Sequence, residues 1–136
     1  MSETCTFCQI AADERDAYVL YEDEQTVAFL DESPAAEGHT LVVPRVHEER
    51  VLTGDDETAR AIFETTRTVS DALERALEPD GFSVFHTAGP LVGSVEHAHV
   101  HLVPRFEDDD VALALSRRGL DHDVATTLAD RVRDAL

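Results

Sequence analysis

The sequence contains no lysine, no asparagine and no tryptophan, so arginine carries all of its positive charge apart from histidine. Eleven arginines stand against 29 acidic residues, which gives a formal net charge of −18. Binding nucleic acid through a basic surface requires clustered positive charge, and this composition excludes it. Charge of one sign repels itself in a compact chain, and dissolved salt screens that repulsion. The acid excess and the missing lysine together favour a halophilic protein that folds in a cytoplasm of molar salt over a protein that is merely acidic.

Long apolar runs are absent as well. No stretch approaches the ~18 apolar residues of a membrane span, and the N-terminal MSETCTFCQI has no basic region followed by an apolar one. We therefore expect a cytoplasmic protein without a membrane partner. The 136 residues suit a single domain over 1–136. A chain of this length can build its core without a disulfide or a metal.

Cysteine is scarce, since Cys5 and Cys8 are the only two. Without a secretory signal, a structural disulfide is not expected. The C-x-x-C spacing is typical of half a metal site or of a redox pair. The helix–strand context of a thioredoxin motif is missing, which disfavours the redox pair. A pair of unligated thiols stays open.

Hydrophobic periodicity and turn residues predict five strands and at least two helices. The clearest element is a helix over 55–77, which Pro79-Asp80-Gly81 ends. A short helix or turn is expected over 4–12, and a C-terminal helix over 122–135. Strands are predicted as two within 17–31, joined by a turn at 22–25, and one each over 39–45, 81–87 and 95–105. This arrangement indicates an α+β domain.

Three of the seven histidines, His97, His99 and His101, lie two residues apart in the stretch EHAHVH. Alternate side chains of a strand share a face, so the three rings are expected to point the same way. The apolar residues between them would face the core under the long helix. Three interpretations stay open at this point: an ordinary polar strand face, a catalytic zinc site with three imidazole ligands, and a nucleophilic imidazole whose neighbours manage phosphate charge.

The stretch from His97 to Val103 alternates histidine with apolar residues and ends in two apolar residues, which resembles the signature of the histidine triad (HIT) family. The segment YEDEQTVAFLDESPAAEGHTLVVPRVH at 21–47 is similar to a characteristic block of that family, and CTFC at 5–8 resembles the N-terminus of many prokaryotic members. The resemblance covers nearly the whole chain and points to the HINT-like prokaryotic and archaeal branch. It implies the HIT fold, with a five-stranded antiparallel sheet, one long central helix and a C-terminal helix, usually in a homodimer.

The resemblance implies a hydrolase or nucleotidyl transferase that acts on nucleoside 5′-monophosphate derivatives. Phosphoramidates or dinucleoside polyphosphates are the expected substrates, with adenosine as the expected nucleoside. His99 would attack the α-phosphorus and form a nucleotidyl-histidine, which water then cleaves. Neutral imidazole suits this role near pH 7. His101 would lie beside the phosphate, His39 would support the nucleophile, and Ser94 with the backbone N–H groups of 93–95 would hold phosphate oxygens. This chemistry requires no metal.

The nucleotide pocket follows from the same resemblance. Asp31 matches the acidic residue that binds the ribose hydroxyls, and Phe7, Ile10 and Phe29 match apolar positions around a purine base. The complete nucleotide-binding set implied is Phe7, Ile10, Phe29, Asp31, His86, Gly93, Ser94, Val95, His99 and His101. Two members depart from the family pattern, because His86 replaces a usual asparagine and Gly93 a usual glutamine. His86 is either a substitute phosphate donor or an ordinary histidine at a strand end.

A structural Zn²⁺ ion is also implied by the resemblance, because related prokaryotic proteins pair the two cysteines with two histidines. In this sequence those histidines are His47 and His97, which with Cys5 and Cys8 would make a closed tetrahedral site. His97 would then be structural, whereas His99 and His101 would be catalytic. Two rival functions stay open: a zinc hydrolase that uses the three triad histidines as ligands, and a non-catalytic nucleotide-binding or scaffold protein.

Overall fold

The computed structural model describes residues 5–89, 96–112 and 115–136. Within these ranges the helices and strands are α1 (Thr6–Ala11), β1 (Val19–Glu22), β2 (Thr26–Leu30), β3 (Thr40–Pro44), α2 (Asp56–Leu77), β4 (Gly81–Phe85), β5 (Val100–Arg105) and α3 (His122–Ala135). The predicted α+β class, with a long central helix and a C-terminal helix, is confirmed. None of the helices described is both long and apolar enough to cross a membrane.

The five strands form one antiparallel sheet in the order β1-β2-β3-β5-β4. The turn between β1 and β2 is closed by Asp23, whose carboxylate accepts the backbone N–H groups of Gln25 at 2.8 Å and Thr26 at 2.9 Å. Such side-chain-to-backbone bonds are the reason that aspartate favours turns. Because α2 separates β3 from β4, the chain returns to the far edge of the sheet and β5 fills the gap.

The two faces of the sheet are covered very differently. The 22-residue helix α2 begins after Asp55, whose carboxylate accepts the N–H of Thr58, and it buries one apolar side against the sheet. The residues of this layer include Ala28, Val42, Ile62, Val69, Leu73, Val100 and Leu102. On the opposite face, the one helix among the described residues is the six-residue α1. Its layer consists of Cys5, Phe7, Cys8, Ala11, Val27, Phe29, Leu41 and Val43. The short cover on this second face leaves space for a site.

The strand that carries the histidines is shorter than the sequence predicts. It begins at Val100, so His97 and His99 precede it instead of lying within a strand from residue 95. The N–H of Ala98 donates to the carbonyl of Glu48, which lies in the loop after β3, and the ladder with β3 starts only at Val100. β4 likewise ends at Phe85 rather than at residue 87, because its last partner in β5 is His101. The periodicity of the sequence does not show where the pairing between strands begins or ends.

The C-terminal helix α3 matches its predicted bounds, and Asp121 caps it by accepting the N–H groups of Asp123 and Val124. None of its side chains is buried, however. Its apolar side is exposed, with Val124 at 62% and Leu128 and Val132 at 52%. α3 therefore presents an unpartnered apolar face within the described part of the chain.

Candidate active site and metal centre

A cavity of about 850 Å³ opens on the face of the sheet that α1 covers. Its lining brings together six residues that the sequence predicts to bind nucleotide: Phe7, Ile10, Phe29, Asp31, His99 and His101. His86 is not part of the lining, although its neighbour Thr87 is. The predicted phosphate-binding residues Gly93, Ser94 and Val95 lie outside the described residues. Reactive imidazoles, an apolar wall and a carboxylate thus share one cavity.

The imidazole of His99 is held by a hydrogen bond from its Nδ1 to the backbone carbonyl of His97, at 2.7 Å. A carbonyl only accepts, so Nδ1 carries the proton and the lone pair lies on Nε2. Burial lowers the pKa of His99, against the opposing effect of this hydrogen bond. The edge of the Phe7 ring packs against the imidazole, with centroids 5.1 Å apart. His99 is therefore a neutral, oriented imidazole with an unprotonated Nε2.

A second hydrogen-bonded chain fixes the ring of His101. The N–H of Ala35 donates to Nδ1 of His39 at 2.9 Å, so the proton of neutral His39 lies on Nε2. That nitrogen is 3.0 Å from Nδ1 of His101 and 3.5 Å from a carboxylate oxygen of Asp31. His101 accepts at Nδ1 and consequently keeps its own proton on Nε2. The ring of Phe85 stacks on His101 with centroids 4.5 Å apart.

Burial, reinforced by His99 and His39, lowers the pKa of His101 to about 4. Burial also lowers the pKa of His39, although the Asp31 carboxylate opposes it. At neutral pH these rings are therefore uncharged. An anion arriving in the cavity favours the protonated form of a nearby imidazole, so His101 can change from a neutral hydrogen-bond donor to an acid when a phosphate binds.

Asp31 and His86 flank this core of the site. One carboxylate oxygen of Asp31 accepts the N–H of Ser33 at 2.8 Å, and the other is the oxygen near His39. His86 donates from Nδ1 to the backbone carbonyl of His99 at 2.9 Å, and its buried Nε2 has no hydrogen-bond partner among the described residues. His86 thus contacts the backbone of His99, outside the lining of the cavity.

The two cysteines and two histidines form a compact group beside the cavity. Nδ1 of His97 lies 3.3 Å from Sγ of Cys5, 3.4 Å from Sγ of Cys8 and 3.2 Å from Nδ1 of His47. Sγ of Cys8 is 3.2 Å from the same nitrogen of His47. Tetrahedral zinc with bonds of about 2.0–2.3 Å separates its ligands by about 3.3–3.8 Å. The ligand set has the spacing of a structural metal site.

The protonation of the ring of His97 agrees with this assignment. Its Nε2 donates to the backbone carbonyl of Pro44 at 2.8 Å, which leaves the Nδ1 lone pair facing the two thiols. Burial, followed by the neighbouring Cys5, raises the pKa of the Cys8 thiol to about 11. A bound cation reverses that preference, because a coordinating thiol is deprotonated. The residues present therefore fit a zinc ion.

The three triad histidines do not gather into one metal-binding group among the described residues. His97 faces the cysteines and His99 donates to a backbone carbonyl. The three rings therefore do not converge on one point, as a zinc hydrolase with all three as ligands would require. Asp31, His39 and His101 do have donor atoms within 4.8 Å of one another. The N–H of Ala35 nevertheless places the proton of His39 on Nε2, the nitrogen that would have to bind the cation. This second group is better described as a hydrogen-bonded chain.

The sequence motifs do not predict part of the cavity lining. It consists of Thr6, Arg15, Asp16, Ala17, Tyr18, Leu30, Glu32, Ser33, Leu41 and Thr87. Arg15 to Tyr18 line the cavity because the turn after α1 folds back beside it. Nothing in the sequence except their position after a short helix could have indicated this.

The comparisons with known proteins agree with the geometry. Residues 12–108 match the family model described as the HIT domain. A protein named hit from Bacillus subtilis is 38% identical over 110 residues, covering 80% of this chain and 76% of its own length. A HIT-like protein from Methanocaldococcus jannaschii is 42% identical over 107 residues, covering 77% of this chain and 81% of its own.

Two relatives carry the names of enzymes. An adenylylsulfatase from Arabidopsis thaliana is 30% identical over 110 residues, covering 80% of this chain but 56% of its own. An adenosine 5′-monophosphoramidase from Saccharomyces cerevisiae is 29% identical over 109 residues, covering 79% of this chain and 66% of its own.

The fold is shared with solved structures. A HIT family protein from Bacillus subtilis superposes with a TM-score of 0.89 at 31% identity, covering 98% of this chain and 97% of its own. A zinc-bound histidine triad family protein from Mycobacterium smegmatis superposes with a TM-score of 0.77 at 28% identity, and all of both chains is covered.

Proposed function

Since the chain belongs to the HIT family, we propose that it hydrolyses phosphoramidates or related derivatives of adenosine 5′-monophosphate through a covalent intermediate on His99. The observation that carries this proposal is the 2.7 Å hydrogen bond of His99 Nδ1 to a backbone carbonyl, which leaves Nε2 as the free nitrogen of a cavity-lining imidazole. The names of the Arabidopsis and yeast relatives support an adenylyl substrate.

In the first step, Nε2 of His99 forms a bond to the α-phosphorus while the bond from phosphorus to the leaving nitrogen breaks. The departing amine takes the electron pair of that bond and needs a proton. His101 is the donor we assign. A bound phosphate raises the pKa of this imidazole above its low value in the free protein, so the ring takes up a proton from solvent, and its Nε2 then gives a proton to the departing amine. Asp31 accepts the ribose hydroxyls, and Phe7 and Phe29 flank the base.

In the second step, water attacks the phosphorus of the nucleotidyl-histidine and the bond to Nε2 breaks. The cation on the substituted imidazole makes it a good leaving group, so no further catalyst of bond cleavage is required. The attacking water gives one proton to His101, which replaces the proton that went to the amine. The nucleoside monophosphate leaves, and His99 returns to its neutral form with Nδ1 still hydrogen-bonded to the backbone carbonyl of His97. Ser94 and the backbone of 93–95 stay proposed ligands of the phosphate oxygens.

We propose that Zn²⁺ binds Cys5, Cys8, His47 and His97 and serves structure alone. A zinc ion there contributes binding free energy to folding, because the isolated ligands do not form the site in an unfolded chain. Its effect on this chain is to hold α1 against the sheet. A helix of six residues has too few hydrogen bonds to be stable on its own.

We further propose that the chain is a single-domain, cytoplasmic and halophilic protein that forms a homodimer. The apolar face of α3 and the edge strand β4, where Val84 is 49% exposed, are surfaces that a second copy can cover. Residues 115–136 hold four arginines and four aspartates, so their net charge is zero and the −18 of the chain lies in residues 1–114. Two copies of this neutral segment repel each other less than two copies of the acidic remainder of the chain would.

Hydrolysis of adenosine 5′-phosphoramidate in molar KCl tests the proposed function. We expect wild type to release adenosine 5′-monophosphate, and His99→Ala to lose at least about a thousandfold in kcat. His122→Ala, which removes an exposed histidine at the start of α3, should behave as wild type. Binding of the nucleotide without any hydrolysis by wild type would favour the non-catalytic binding protein instead.

A further inference from the structure

The cavity contains a polar group that the proposed chemistry does not use. Its lining includes Arg15, Asp16 and Tyr18 in addition to the apolar residues Phe7, Ile10 and Phe29. Arg15 is the only arginine among the described lining residues, and Asp16 follows it directly. An apolar wall alone distinguishes one flat base from another only weakly. A cation and a carboxylate beside that wall add directional hydrogen bonding.

The turn that carries these two side chains is held in place at both ends. At its start, the N–H groups of Ala12, Asp13 and Glu14 donate to the carbonyls of Cys8, Ile10 and Gln9 at 3.0, 3.1 and 2.8 Å. Asp13 has a φ of 60°, in the left-handed region, which turns the chain back along α1. At its end, Tyr18 accepts the N–H of Leu30 in β2 at 3.0 Å. Arg15 and Asp16 therefore sit on an anchored segment.

The guanidinium of Arg15 is available for a ligand. The structure gives Arg45, Arg75, Arg105 and Arg133 ion pairs with carboxylates. Arg15, an exposed residue, is one of seven arginines whose side chains have no hydrogen bond or ion pair within the ranges that the structure describes, and it is the one of these seven that lines this cavity. An unpaired arginine that lines a cavity offers donors in a fixed fork, which suits acceptors on a planar ring.

The edge of adenine offers the complementary pattern. Its N7 is an acceptor and its 6-amino group a donor, side by side, whereas a pyrimidine has no N7. We propose that Arg15 and Asp16 read the purine edge, with Arg15 donating to N7 and Asp16 accepting from the 6-amino group of adenine. This proposal rests on the proposed function, which makes an adenosine nucleotide the ligand. It adds the two residues that distinguish adenine from other bases.

Binding of mononucleotides to the full chain tests this proposal independently of hydrolysis. The probes are adenosine 5′-monophosphate, its 7-deaza analogue, which lacks the N7 acceptor, and purine riboside 5′-monophosphate, which lacks the 6-amino group. Dissociation constants are measured by calorimetry in molar KCl for wild type, Arg15→Met, Asp16→Asn and the control Arg117→Met. Arg117 is exposed and does not line the cavity.

We expect wild type to bind each analogue about tenfold more weakly than adenosine 5′-monophosphate, which is the usual effect of one hydrogen bond to a charged group. Arg15→Met should bind the 7-deaza analogue as tightly as adenosine 5′-monophosphate, and it should still bind the analogue without the amino group more weakly. Asp16→Asn should reduce the difference in affinity between adenosine 5′-monophosphate and the analogue without the amino group. Arg117→Met should have the same two ratios of dissociation constants as wild type.

If Arg15→Met binds all three nucleotides more weakly by the same factor, the ratios of their dissociation constants are unchanged. Arg15 would then only attract the phosphate, and the proposal would be overturned. Wild type that binds all three probes alike, or none of them, would overturn it too. If wild type discriminates as expected but does not hydrolyse the phosphoramidate, the catalytic proposal fails while base reading stands.

Discussion

The imidazole of His99 donates to the backbone carbonyl of His97 at 2.7 Å, and the side chain of that same His97 lies in the cysteine–histidine group. One residue therefore connects the proposed metal centre to the proposed nucleophile. Phe7, between the two cysteines in sequence, packs against both imidazoles with centroid distances of 5.9 and 5.1 Å. Ligand binding at the metal centre and orientation of the nucleophile share these contacts.

Removing the metal should consequently affect both folding and the active site. We predict one zinc per chain by native mass spectrometry, and none in Cys8→Ser. Loss of a structural zinc costs several kcal/mol of folding free energy, so the Tm of Cys8→Ser in molar KCl should drop sharply. Ser70→Ala, a substitution of a hydroxyl on α2 outside the site, should change neither value. Full zinc occupancy in Cys8→Ser would show that the cysteine is not a ligand.

The pH profile of activity should show no break at the ordinary pKa of histidine. Because the pKa of His101 lies at about 4 in the free folded chain instead of 6.5, its protonated form becomes steadily more populated as pH falls from 6.5 towards 4, and kcat/KM should show no plateau that begins near 6.5. The folded chain binds fewer protons than the unfolded chain between these values, so the free energy of unfolding should fall as pH drops from 6.5 to 4. An NMR titration of the His101 ring gives the midpoint directly, and a value near 6.5 would contradict the burial that the structure assigns to it.

Stability should rise with salt concentration, because the net charge is −18. Raising KCl from about 0.1 M to about 1 M shortens the screening length from about 10 Å to about 3 Å. We expect the chain to unfold on dialysis into low salt, and its Tm to climb through this range when measured by circular dichroism.

A charge-reduced variant provides the control for the salt effect. Glu49, Glu64 and Glu74 are exposed and carry no ion pair among the described residues. Replacing all three by glutamine should raise the Tm at low salt and change it little at high salt. Full stability of wild type at low salt, equal to that of the variant, would refute halophilic adaptation.

Association through α3 predicts a change of mass in solution. Wild type should have twice the mass of the 15.0 kDa chain by light scattering. Leu128→Asp places a charge within the exposed apolar face and should shift the population towards single chains. Thr126→Asp, on the other side of the helix, should remain associated. If both variants and wild type have the same mass, α3 is not part of an interface.

The sequence predicts those elements whose signals are local. The helix α2 is long, periodic and capped by Asp55, and its predicted range differs by one residue from the structure. The sequence predicts the start of β5 five residues too early, because the ladder with β3 depends on a partner far away in sequence. The sequence predicts the range of α3, but periodicity does not say whether the protein's own sheet covers the apolar side of this helix.

For the site, motif resemblance supplies the identities of the histidines but not their protonation. The tautomers of His99 and His101 depend on the carbonyl of His97 and the N–H of Ala35, and these partners become visible only in three dimensions. The same holds for Arg15 and Asp16, which enter the cavity through the path of a turn. The position of His86 behind the nucleophile also follows from tertiary contacts.

Trapping the covalent intermediate decides whether His99 is the nucleophile. Wild type is mixed with adenosine 5′-phosphoramidate in molar KCl, quenched within milliseconds in alkaline denaturant that preserves phosphoramidate bonds, and digested for mass spectrometry. We predict one adenylyl group on the peptide that contains His99, at Nε2, with the same adduct in His122→Ala and none in His99→Ala. Hydrolysis by His99→Ala at the wild-type rate, or an adduct on another residue, would contradict nucleophilic attack by His99.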